Sequence, residues 1–591
     1  MSYSRFVLIV VMGMLGLCVP TSSRAESFTE KSAAQILPSS TTLYAETLRP
    51  SEMIDLVLNH PLRTRIESSD AYQKATEGEG MAKLRMGIAM FEAGMEQPWQ
   101  EAITSLTQGG MYVGYDSNTK GVVVLSKADS RETLDKFRAF VQVVGRVARK
   151  GGGEATEYGT YRKVVTLDVA PQVKMAFLEN WLVVTNRPEL GKQVIDNALD
   201  GAESSLAETL SFQEAKQNRA ESQVWGYVNV ETIRDAGIAE RLYSGRTDNI
   251  LAEVLFGGLL SNLQQTPYAT ASLNLQQDRV NLELATSNQM AWLEGRAYYF
   301  GESGKATAPQ LLNPPGTIAA ISAYRDLSQM WLRSGDLLTE KGSEDLAKAD
   351  STLTTFFSGK DFGEDILGAF ASDVQLVVVA QDFEKIVPTP AIKLPAFAFQ
   401  FELKDREATQ GELRRVFQSF VGFVNIIGAM QGQPQLDLGS DTSDEAAQYY
   451  ATFVPNADAP DDKSASVQYN FSPTLGFVNN RMIMASSLSL AKTLIDGKEA
   501  DKAAFERPAI KANSLIHINA KQIATALEPN REYLIAQNML EKGHDHEAAE
   551  AEIGVLFEII ELVRDVSVSL ENSESELKLN TQLRLNLEAK E

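Results

Sequence analysis

Apolar residues recur along this chain in two patterns: short alternating runs, and longer stripes spaced three or four residues apart. Alternation predicts half-buried strands, whereas the longer spacing predicts amphipathic helices. The run Leu43–Leu48 predicts a strand, and the stretch from Pro50 to His60 predicts a short helix. Runs at 111–115 and 121–125 predict a hairpin, and the apolar stripe from Ser130 to Arg149 predicts a longer helix.

After this helix, strand-like runs follow one another with little helix between them. Further strands are predicted at Tyr161–Val169, Val173–Leu178, Trp181–Thr185, Val224–Val230, Tyr268–Leu275 and Val280–Ala285. A helix is predicted to begin at Pro188, a residue suited to a first helical turn. Strands that follow strands directly favour an antiparallel sheet. The predicted fold class is therefore α+β and not a parallel βαβ fold.

The order of these blocks occurs twice, in residues 35–290 and again in residues 310–587. The segment Phe177–Val184 corresponds to Phe477–Met484. Other matched positions are Asn180 with Asn480, Lys192 with Lys492, and Ile195 with Ile495. A recurring block order is the signature of a repeated architecture. We therefore expect two tandem copies of a unit in which helices pack on an antiparallel sheet.

The predicted domain limits follow from this repeat. Residues 1–25 form a signal peptide, residues 26–305 the first α+β repeat, and residues 306–591 the second. The spacing between matched blocks varies along the chain, which indicates insertions. The largest are acidic stretches near Gly439-Ser440-Asp441 and at Asn456–Ser466, and we expect both to be loops.

The N-terminus has the composition of a secretory signal peptide. Arg5 precedes the apolar run Phe6–Val19, and Ser23-Arg24-Ala25 forms a small-x-small cleavage site. The apolar run is too short to span a membrane. The alternative is a lipoprotein modified at Cys18, but Leu17 stands where such sites usually have a small side chain. We expect cleavage after Ala25, without lipid.

The number and position of cysteines limit which sites the mature chain can form. Cys18 is the only cysteine and lies inside the predicted signal peptide. Disulfides, thiolate nucleophiles and thiolate metal sites are therefore excluded from a mature chain that begins at Glu26. The expected location is extracytoplasmic, either periplasmic or fully secreted.

Composition and charge narrow the classes of partner. The chain is 44% hydrophobic and 23% charged, as in ordinary globular proteins, and its 591 residues exceed what one core usually serves. Loss of Arg5 and Arg24 with the signal peptide takes the formal net charge from −23 to −25. Such a charge disfavours nucleic acid and basic docking on anionic lipids. No later stretch reaches the roughly 18 apolar residues of a membrane span.

One short segment carries a family resemblance. The opening Leu37-Pro38-Ser39-Ser40-Thr41-Thr42-Leu43-Tyr44, followed by His60-Pro61-Leu62, resembles a family of large secreted bacterial proteins of unknown function. Members of that family begin with a phrase of the LPADT type and continue with DHPL. The resemblance implies secretion and a duplicated α+β unit, and it implies no activity and no site residues.

Candidate metal chemistry is concentrated in one local cluster. The chain has four histidines, and the cluster contains His544, Asp545, His546, Glu547 and Glu550. Imidazole and carboxylate suit zinc or copper, but a polar linker and helix start explains the same residues. His60 lies at a predicted helix end, and His517 replaces Tyr227 of the other copy, which indicates packing. We therefore predict no metal site and no cofactor.

Three further motifs resemble known sites only in part. Gly301-Glu302-Ser303-Gly304-Lys305 resembles a phosphate-binding loop, but its glycine spacing is wrong and Ala306 replaces the hydroxyl residue. Asp361-Phe362-Gly363 matches the kinase triplet without a catalytic loop. The acidic stretch Asn456–Asp462 offers oxygen ligands for calcium but lacks the turn glycine and terminal Glu of an EF-hand. No GxSxG elbow is present, so no catalytic residue is assigned.

These observations favour a secreted, non-catalytic protein with a binding or envelope-structural role, its partner being another envelope or secreted protein. One alternative is an extracytoplasmic hydrolase that uses two carboxylates in a cleft between the copies. Another is a carrier of apolar ligands, which would require a large internal cavity. Converging, desolvated carboxylates would favour the enzyme, and a large apolar cavity would favour the carrier.

The processing hypothesis predicts a mature chain that begins at Glu26. N-terminal sequencing and intact-mass measurement of the extracytoplasmic form should give this residue with no added lipid mass. A chain that begins at a lipidated Cys18 would contradict the prediction.

Overall fold

The computed structural model describes most of the chain after the predicted signal peptide. The described residues are 31–68, 72–73, 76, 78–150, 157–170, 172–201, 204–289, 295–357, 359–454, 465–497 and 511–587. They form two compact units. Unit 1 contains the described residues between 31 and 239 together with Thr266–Ser287, and unit 2 contains Glu240–Gln265 with those between 288 and 587. The predicted signal peptide and the calcium candidate Asn456–Asp462 lie outside the described residues.

Unit 1 is built on an antiparallel sheet. Its strands are β1 (Thr41–Thr47), β2 (Met111–Asp116), β3 (Gly121–Lys127), β4 (Glu157–Tyr161), β5 (Val164–Ala170), β6 (Val173–Leu178), β7 (Trp181–Thr185), β8 (Val224–Asn229), β9 (Tyr268–Leu275) and β10 (Arg279–Ser287). Their order across the sheet is β4-β5-β6-β7-β3-β2-β1-β8-β9-β10. The first strand therefore lies in the middle and joins the two halves of the sheet.

Helices pack on both faces of this sheet. They are α1 (Ala33–Ile36), α2 (Pro50–Leu58), α3 (Arg63–Glu67), α4 (Glu79–Met95), α5 (Trp99–Thr107), α6 (Arg131–Lys150), α7 (Pro188–Asp200), α8 (Leu210–Gln217) and α9 (Val230–Asp235). One core cluster joins Tyr44 and Trp225 to Leu190 of α7 and Phe212 of α8. A second cluster, on helices α4, α5 and α6, covers the side chains of β5, β6 and β7 that point to the other face.

Unit 2 has the same arrangement of strands. They are β11 (Thr317–Tyr324), β12 (Phe370–Val379), β13 (Ala396–Leu403), β14 (Leu436–Thr442), β15 (Ala446–Phe453), β16 (Thr474–Val478), β17 (Arg481–Ala485), β18 (Ser514–Asn519), β19 (Val563–Asn572) and β20 (Glu576–Leu585). Their order is β14-β15-β16-β17-β13-β12-β11-β18-β19-β20, all antiparallel. The α+β fold class predicted from the sequence is confirmed.

The helices of unit 2 include one from the middle of the chain. They are α10 (Ile250–Leu263), α11 (Ala297–Phe300), α12 (Leu327–Leu332), α13 (Ser334–Leu337), α14 (Glu340–Phe356), α15 (Arg406–Met430), α16 (Leu488–Ile495), α17 (Ala520–Leu527), α18 (Arg531–Lys542) and α19 (His546–Leu562). No helix among the described residues is long and apolar enough to cross a membrane. Helix α10 falls inside the first predicted repeat by sequence, yet it packs with α11 and α13 in unit 2.

A buried polar network fixes α10 in unit 2. Glu253 is fully buried, and its carboxylate lies 3.2 Å from Nε of Arg296. The Tyr298 hydroxyl donates to the same carboxylate, and the Thr247 hydroxyl donates to it at 3.0 Å. Arg296 also donates from its Nη2 to the carbonyl of Gly245 at 2.6 Å. Because every partner is itself buried or hydrogen-bonded, the charge of Glu253 is tolerated inside the core.

Matched positions in the two sequences occupy the same elements. Phe177 pairs with Leu182 in the β6–β7 hairpin, and Phe477 pairs with Met482 in the β16–β17 hairpin. The turn residues Glu179 and Asn479 both have φ of 51°. Ile195 and Ile495 lie in the helix that follows each hairpin, α7 and α16. These positions favour the prediction that both units arose from one duplicated sequence, which stays a prediction.

Two local predictions were wrong. The expected strand Tyr161–Val169 is interrupted at Arg162 and Lys163, which have φ of 51° and 71° and form a tight turn between β4 and β5. The acidic stretch Gly439-Ser440-Asp441 is not a loop, because it lies within β14 and pairs with β15. In both cases pairing with the adjacent strand of a hairpin decides the conformation.

Removal of the Glu253 carboxylate should destabilise unit 2. Glu253→Ala leaves Arg296 buried without its counter-charge, a change that typically costs about 3–5 kcal/mol. Urea unfolding should therefore show a clearly lower midpoint for this variant. The control Glu574→Gln removes an exposed partner of Lys305 and should leave the midpoint unchanged. Equal midpoints for Glu253→Ala and the control would contradict the structural role of the network.

Candidate functional site

Side chains on neighbouring positions of the central strands point to opposite faces of each sheet. In β1, Tyr44 points into the buried aromatic cluster, whereas Leu43 and Ala45 point to the other face. We call the face of Tyr44 the covered face and the face of Leu43 the open face. Directly paired residues of an antiparallel sheet lie on the same face, so the strand registers extend both faces across the sheet.

The open face of unit 1 carries rows of apolar side chains. One row follows the pairs Val184, Val124, Val113, Ala45, Gly226, Ala271 and Leu284. A second row follows Val122, Tyr115, Leu43, Val228 and Ala269. Leu43 keeps 41% and Leu284 43% of its surface exposed to solvent. These apolar rows are therefore accessible to a ligand.

The open face of unit 2 repeats this arrangement with larger side chains. One row follows Met484, Phe399, Leu376, Ile321, Ile516 and Val568. The adjacent row follows Phe397, Val378, Ala319, Ile518, Val566 and Leu583. Phe397 is 41% exposed. None of the described residues in these two rows is charged.

Helices cover part of the same side of each sheet. In unit 1, Phe91 of α4 covers Leu167 and Met175 of β5 and β6. In unit 2, α15 packs in one cluster with β16 and β17, and α11 and α12 pack against Leu570 of β19, two residues from Val568 on the same face. The rows themselves stay partly exposed on the central strands. Helices therefore border the open face at one end in unit 1 and at both ends in unit 2.

The chemistry of an open face is that of a binding surface. Aliphatic and aromatic side chains offer neither a nucleophile nor a proton donor, but they release water when an apolar ligand contacts them. Monomeric proteins rarely keep large contiguous apolar patches exposed unless the patches bind something. The backbone groups of the inner strands are already paired within the sheet. An occupant must therefore interact through apolar contacts.

The polar cluster of unit 1 lies on the covered face and is structural. The Tyr44 hydroxyl donates to Glu46 at 2.5 Å, and Arg219 pairs with the same carboxylate. The guanidinium of Arg219 also lies 5.3 Å from the ring centre of Trp225. Burial, and then the charge of Glu46, raise the pKa of Tyr44 well above its ordinary value. A neutral tyrosine held in this way anchors the carboxylate and is unsuited to proton transfer at neutral pH.

The histidines have structural explanations. Asp545 accepts from the Ala548 amide at 2.9 Å and caps α19, so its carboxylate is engaged by the helix. Nδ1 of His544 lies 3.1 Å from the Asn538 side chain, and that of His546 lies 3.8 Å from Glu550. Among the described residues, no group of three or more His, Cys, Asp or Glu side chains is placed to hold a metal.

The other two histidines lie far from this cluster in sequence. His60 follows α2 and lies 2.7 Å, through Nε2, from the Gln277 carbonyl. His517 is buried in β18, and its Nδ1 lies 2.9 Å from the Ser567 hydroxyl. Both positions agree with the packing and helix-end interpretation of the sequence.

The two motifs that resemble a phosphate-binding loop and a kinase triplet form a turn and a helix cap. Gly301 and Gly304 have φ of 76° and 65° and form a turn after α11, and Lys305 pairs with Glu574 at 2.7 Å. Asp361 accepts from the Glu364 amide at 2.7 Å and caps a short π-helical turn. Phe362 then packs against the core of unit 2.

A cavity in unit 2 is a second place where two carboxylates could converge, apart from the cleft between copies named in the hydrolase alternative. It has a volume of about 580 Å³ and lies between the segment that follows β12 and the start of α16. Asp382 is the single carboxylate among the described residues that line it, and Lys385 pairs with Asp382 at 2.6 Å. This cavity therefore lacks the two converging carboxylates that the hydrolase mechanism requires.

Comparisons with known proteins add little. No family model and no curated protein matches this chain. Crystal form I of TP0453 is similar at 11% identity over 44% of this chain and 79% of that chain, with a TM-score of 0.23. Crystal form IV is similar at 8% identity over 44% of this chain and 83% of that chain, with a TM-score of 0.25. Scores this low carry no argument about fold or function.

The open faces were missed by sequence reasoning, although a signal for them exists. Val122-Val123-Val124-Leu125 and Leu376-Val377-Val378-Val379 are apolar at every position. A strand with one face towards water alternates, so an unbroken apolar run indicates that both faces avoid charge. The pattern cannot say whether the second face is covered by helices or left accessible.

Stability should not depend on a bound metal. A structural metal would couple its binding energy to folding, so its removal would lower the melting temperature. Because we expect no such metal, a chelator should leave the melting temperature unchanged. Differential scanning calorimetry with and without EDTA tests this. A large drop in melting temperature that disappears in a His544→Ala/His546→Ala variant would contradict the prediction.

Proposed function

We propose that this protein is a non-catalytic, extracytoplasmic binding protein for elongated apolar ligands such as lipid acyl chains. The observation that carries the proposal is the pair of uncharged rows on the open face of unit 2, with the equivalent rows in unit 1. The proposal combines the binding role favoured by the sequence with the carrier alternative. The surface of the sheet takes the place of the internal cavity expected for a carrier.

The dimensions of the rows support an elongated ligand. The row from Met484 to Val568 crosses β17, β13, β12, β11, β18 and β19. Neighbouring strands lie about 4.8 Å apart, so the row spans roughly 25 Å. Phe399 and Leu376 project from its centre and present ring and branched surfaces to a chain lying across the strands. A long acyl chain can follow such a row without meeting a charge.

The energetics favour ligands with many methylene groups. Each buried methylene contributes up to about 0.8 kcal/mol to the free energy of binding. The cost of immobilising the ligand offsets part of this gain. Affinity should therefore rise with chain length until the row is filled. The rows have no charged side chain to pair with a carboxylate or phosphate, so specificity for a headgroup is not expected from this face.

The location outside the cytoplasm is part of the proposal. The apolar run Phe6–Val19 and the cleavage motif that ends at Ala25 support it. So does the use of only one cysteine, Cys18, in a chain of 591 residues. The resemblance of the segment Leu37–Tyr44 to large secreted bacterial proteins points the same way. We further infer that a duplication produced the two units, because their strand orders are the same.

A charge placed on the open faces should weaken binding. The double variant Leu284→Glu/Phe397→Glu should bind a fluorescent fatty acid at least tenfold more weakly than the parent, because an acidic group must then be desolvated in the row. Both positions are partly exposed, so the fold should be retained. Titration of the probe fluorescence measures the affinity, and unlabelled fatty acids of increasing length compete in the same assay.

The matched control is Leu540→Glu, at a residue 86% exposed on α18 and outside both rows. It should bind the probe as the parent does. The proposal is wrong if the parent protein does not bind the probe, or if the open-face variant and the control bind it equally well.

A further inference from the structure

Helix α15 presents an apolar stripe to solvent. It runs for 25 residues, or about 37 Å at 1.5 Å per residue. Large apolar side chains are exposed along its second half: Phe420, Phe423, Ile426, Ile427 and Met430. Phe423 is 55%, Ile426 65% and Met430 84% exposed. The spacing of three and four residues places them on one side of the helix.

A different side of α15 holds the helix to unit 2. Leu413 and Val421 are buried, and Phe417 packs in the same core clusters. The Asn425 side chain accepts from the Leu436 amide at 2.7 Å and donates to its carbonyl at 2.8 Å, which ties the helix to the start of β14. The exposed stripe is thus not needed to hold the helix in place.

The charge distribution around this stripe differs from that of the whole chain. The chain has 78 acidic residues and a formal net charge of −23. From Leu413 to Leu436 there is no acidic residue, and from Val416 to Met430 there is no charged residue of either sign. Along the chain, the nearest charged residues are Arg414 and Arg415 before the stripe and Asp437 after it, and all three are exposed. The stripe itself therefore has no charge that would be repelled by an anionic surface.

The corresponding helix of unit 1 carries its ion pairs in its first half. Helix α6 follows β3 as α15 follows β13. Arg138 lies 2.9 Å from Asp135, and Lys136 lies 3.8 Å from Glu132. The charged residues of α15, Glu412 among them, are likewise confined to its first half.

We propose that the exposed stripe of α15 docks the protein on the surface of a lipid bilayer. An interfacial helix buries one aromatic and aliphatic face at the headgroup boundary while its other face stays outside the acyl region. The stripe has Phe, Ile and Met on one face and no charge that would have to be desolvated. A stable protein–protein interface uses about 20–30 residues from each partner, far more than this narrow stripe offers.

The docking differs from the basic membrane binding that the net charge disfavours. Its driving force is burial of apolar surface, so added salt should weaken it little. The inference goes beyond the proposed function, because docking requires no ligand on the open faces. If both hold, an apolar ligand has a route between a bilayer and unit 2 of the docked protein.

Vesicle flotation tests the docking directly. The parent protein should float with phosphatidylcholine vesicles, with and without phosphatidylglycerol, at low and at high salt. Phe423→Glu/Ile426→Glu should reduce the floated fraction at least tenfold. The control Leu540→Glu, at a more exposed apolar position on another helix, should float as the parent does. Both variants should keep the melting temperature of the parent.

A site-specific label provides a second measurement that does not depend on these charged variants. In a Cys18→Ser background, an environment-sensitive fluorophore on Phe423→Cys should shift to shorter wavelength when vesicles are added, and the same label on Leu540→Cys should not. Absence of flotation by the parent, or flotation of the double glutamate variant at the level of the parent, overturns the proposal. So does a dimer in solution that the double variant dissolves, because the stripe then covers a second copy of the chain.

Failure here is distinguishable from failure of the proposed function. Phe423→Glu/Ile426→Glu should still bind the fluorescent fatty acid in solution with the affinity of the parent, because α15 contributes none of the open-face rows. A variant that loses both vesicle flotation and probe binding shows that the stripe and the open face form one site, and the separate docking role is then wrong.

Discussion

Packing on the covered face is the interaction on which the rest of unit 1 depends. Tyr44 meets Phe212 edge-to-face at 5.3 Å, and Phe212 meets Trp225 in the same way at 5.7 Å. Aromatic pairs of this kind add about 0.5–1.5 kcal/mol each beyond the area they bury. This packing joins α8 to β1 and β8 at the middle of the sheet. Because one face supplies so much burial, the opposite face can remain accessible without loss of the fold.

Unit 2 is held together by aliphatic packing on its covered face and by the buried pair of Glu253 with Arg296. Ala320, Val377 and Ile483 lie against Leu490 of α16, which seals the covered face. The segment Glu240–Gln265 is held by the pairing of Glu253 with Arg296. Burial of that pair is costly unless all of its hydrogen bonds are made, so the network also fixes which segment can occupy this place. Unit 2 therefore includes a helix, α10, that is separated from β11 in the chain by the two strands β9 and β10 of unit 1.

Two apolar surfaces with different geometry result from this packing. The open faces are flat rows built by strand pairing, and they suit a ligand that lies across strands. The stripe on α15 is a narrow ridge on a helix, and it suits insertion into a boundary between water and lipid. Asp545, Asp361 and Glu46, by contrast, are engaged by helix caps or buried partners. These three carboxylates therefore serve the fold.

The sequence by itself determined the α+β class and most of the central strands. Those features depend on local alternation and on the order of strand-like runs, which can be read from neighbouring residues such as Phe177–Val184 and Phe477–Met484. Pairing between adjacent strands decided that Arg162 and Lys163 turn the chain, and that the acidic stretch of β14 is a strand. Tertiary structure alone decided that α10 belongs to unit 2, and that Leu43, Phe397 and Phe423 stay exposed. The physical reason is that burial depends on which elements cover a residue, and those elements come from distant parts of the chain.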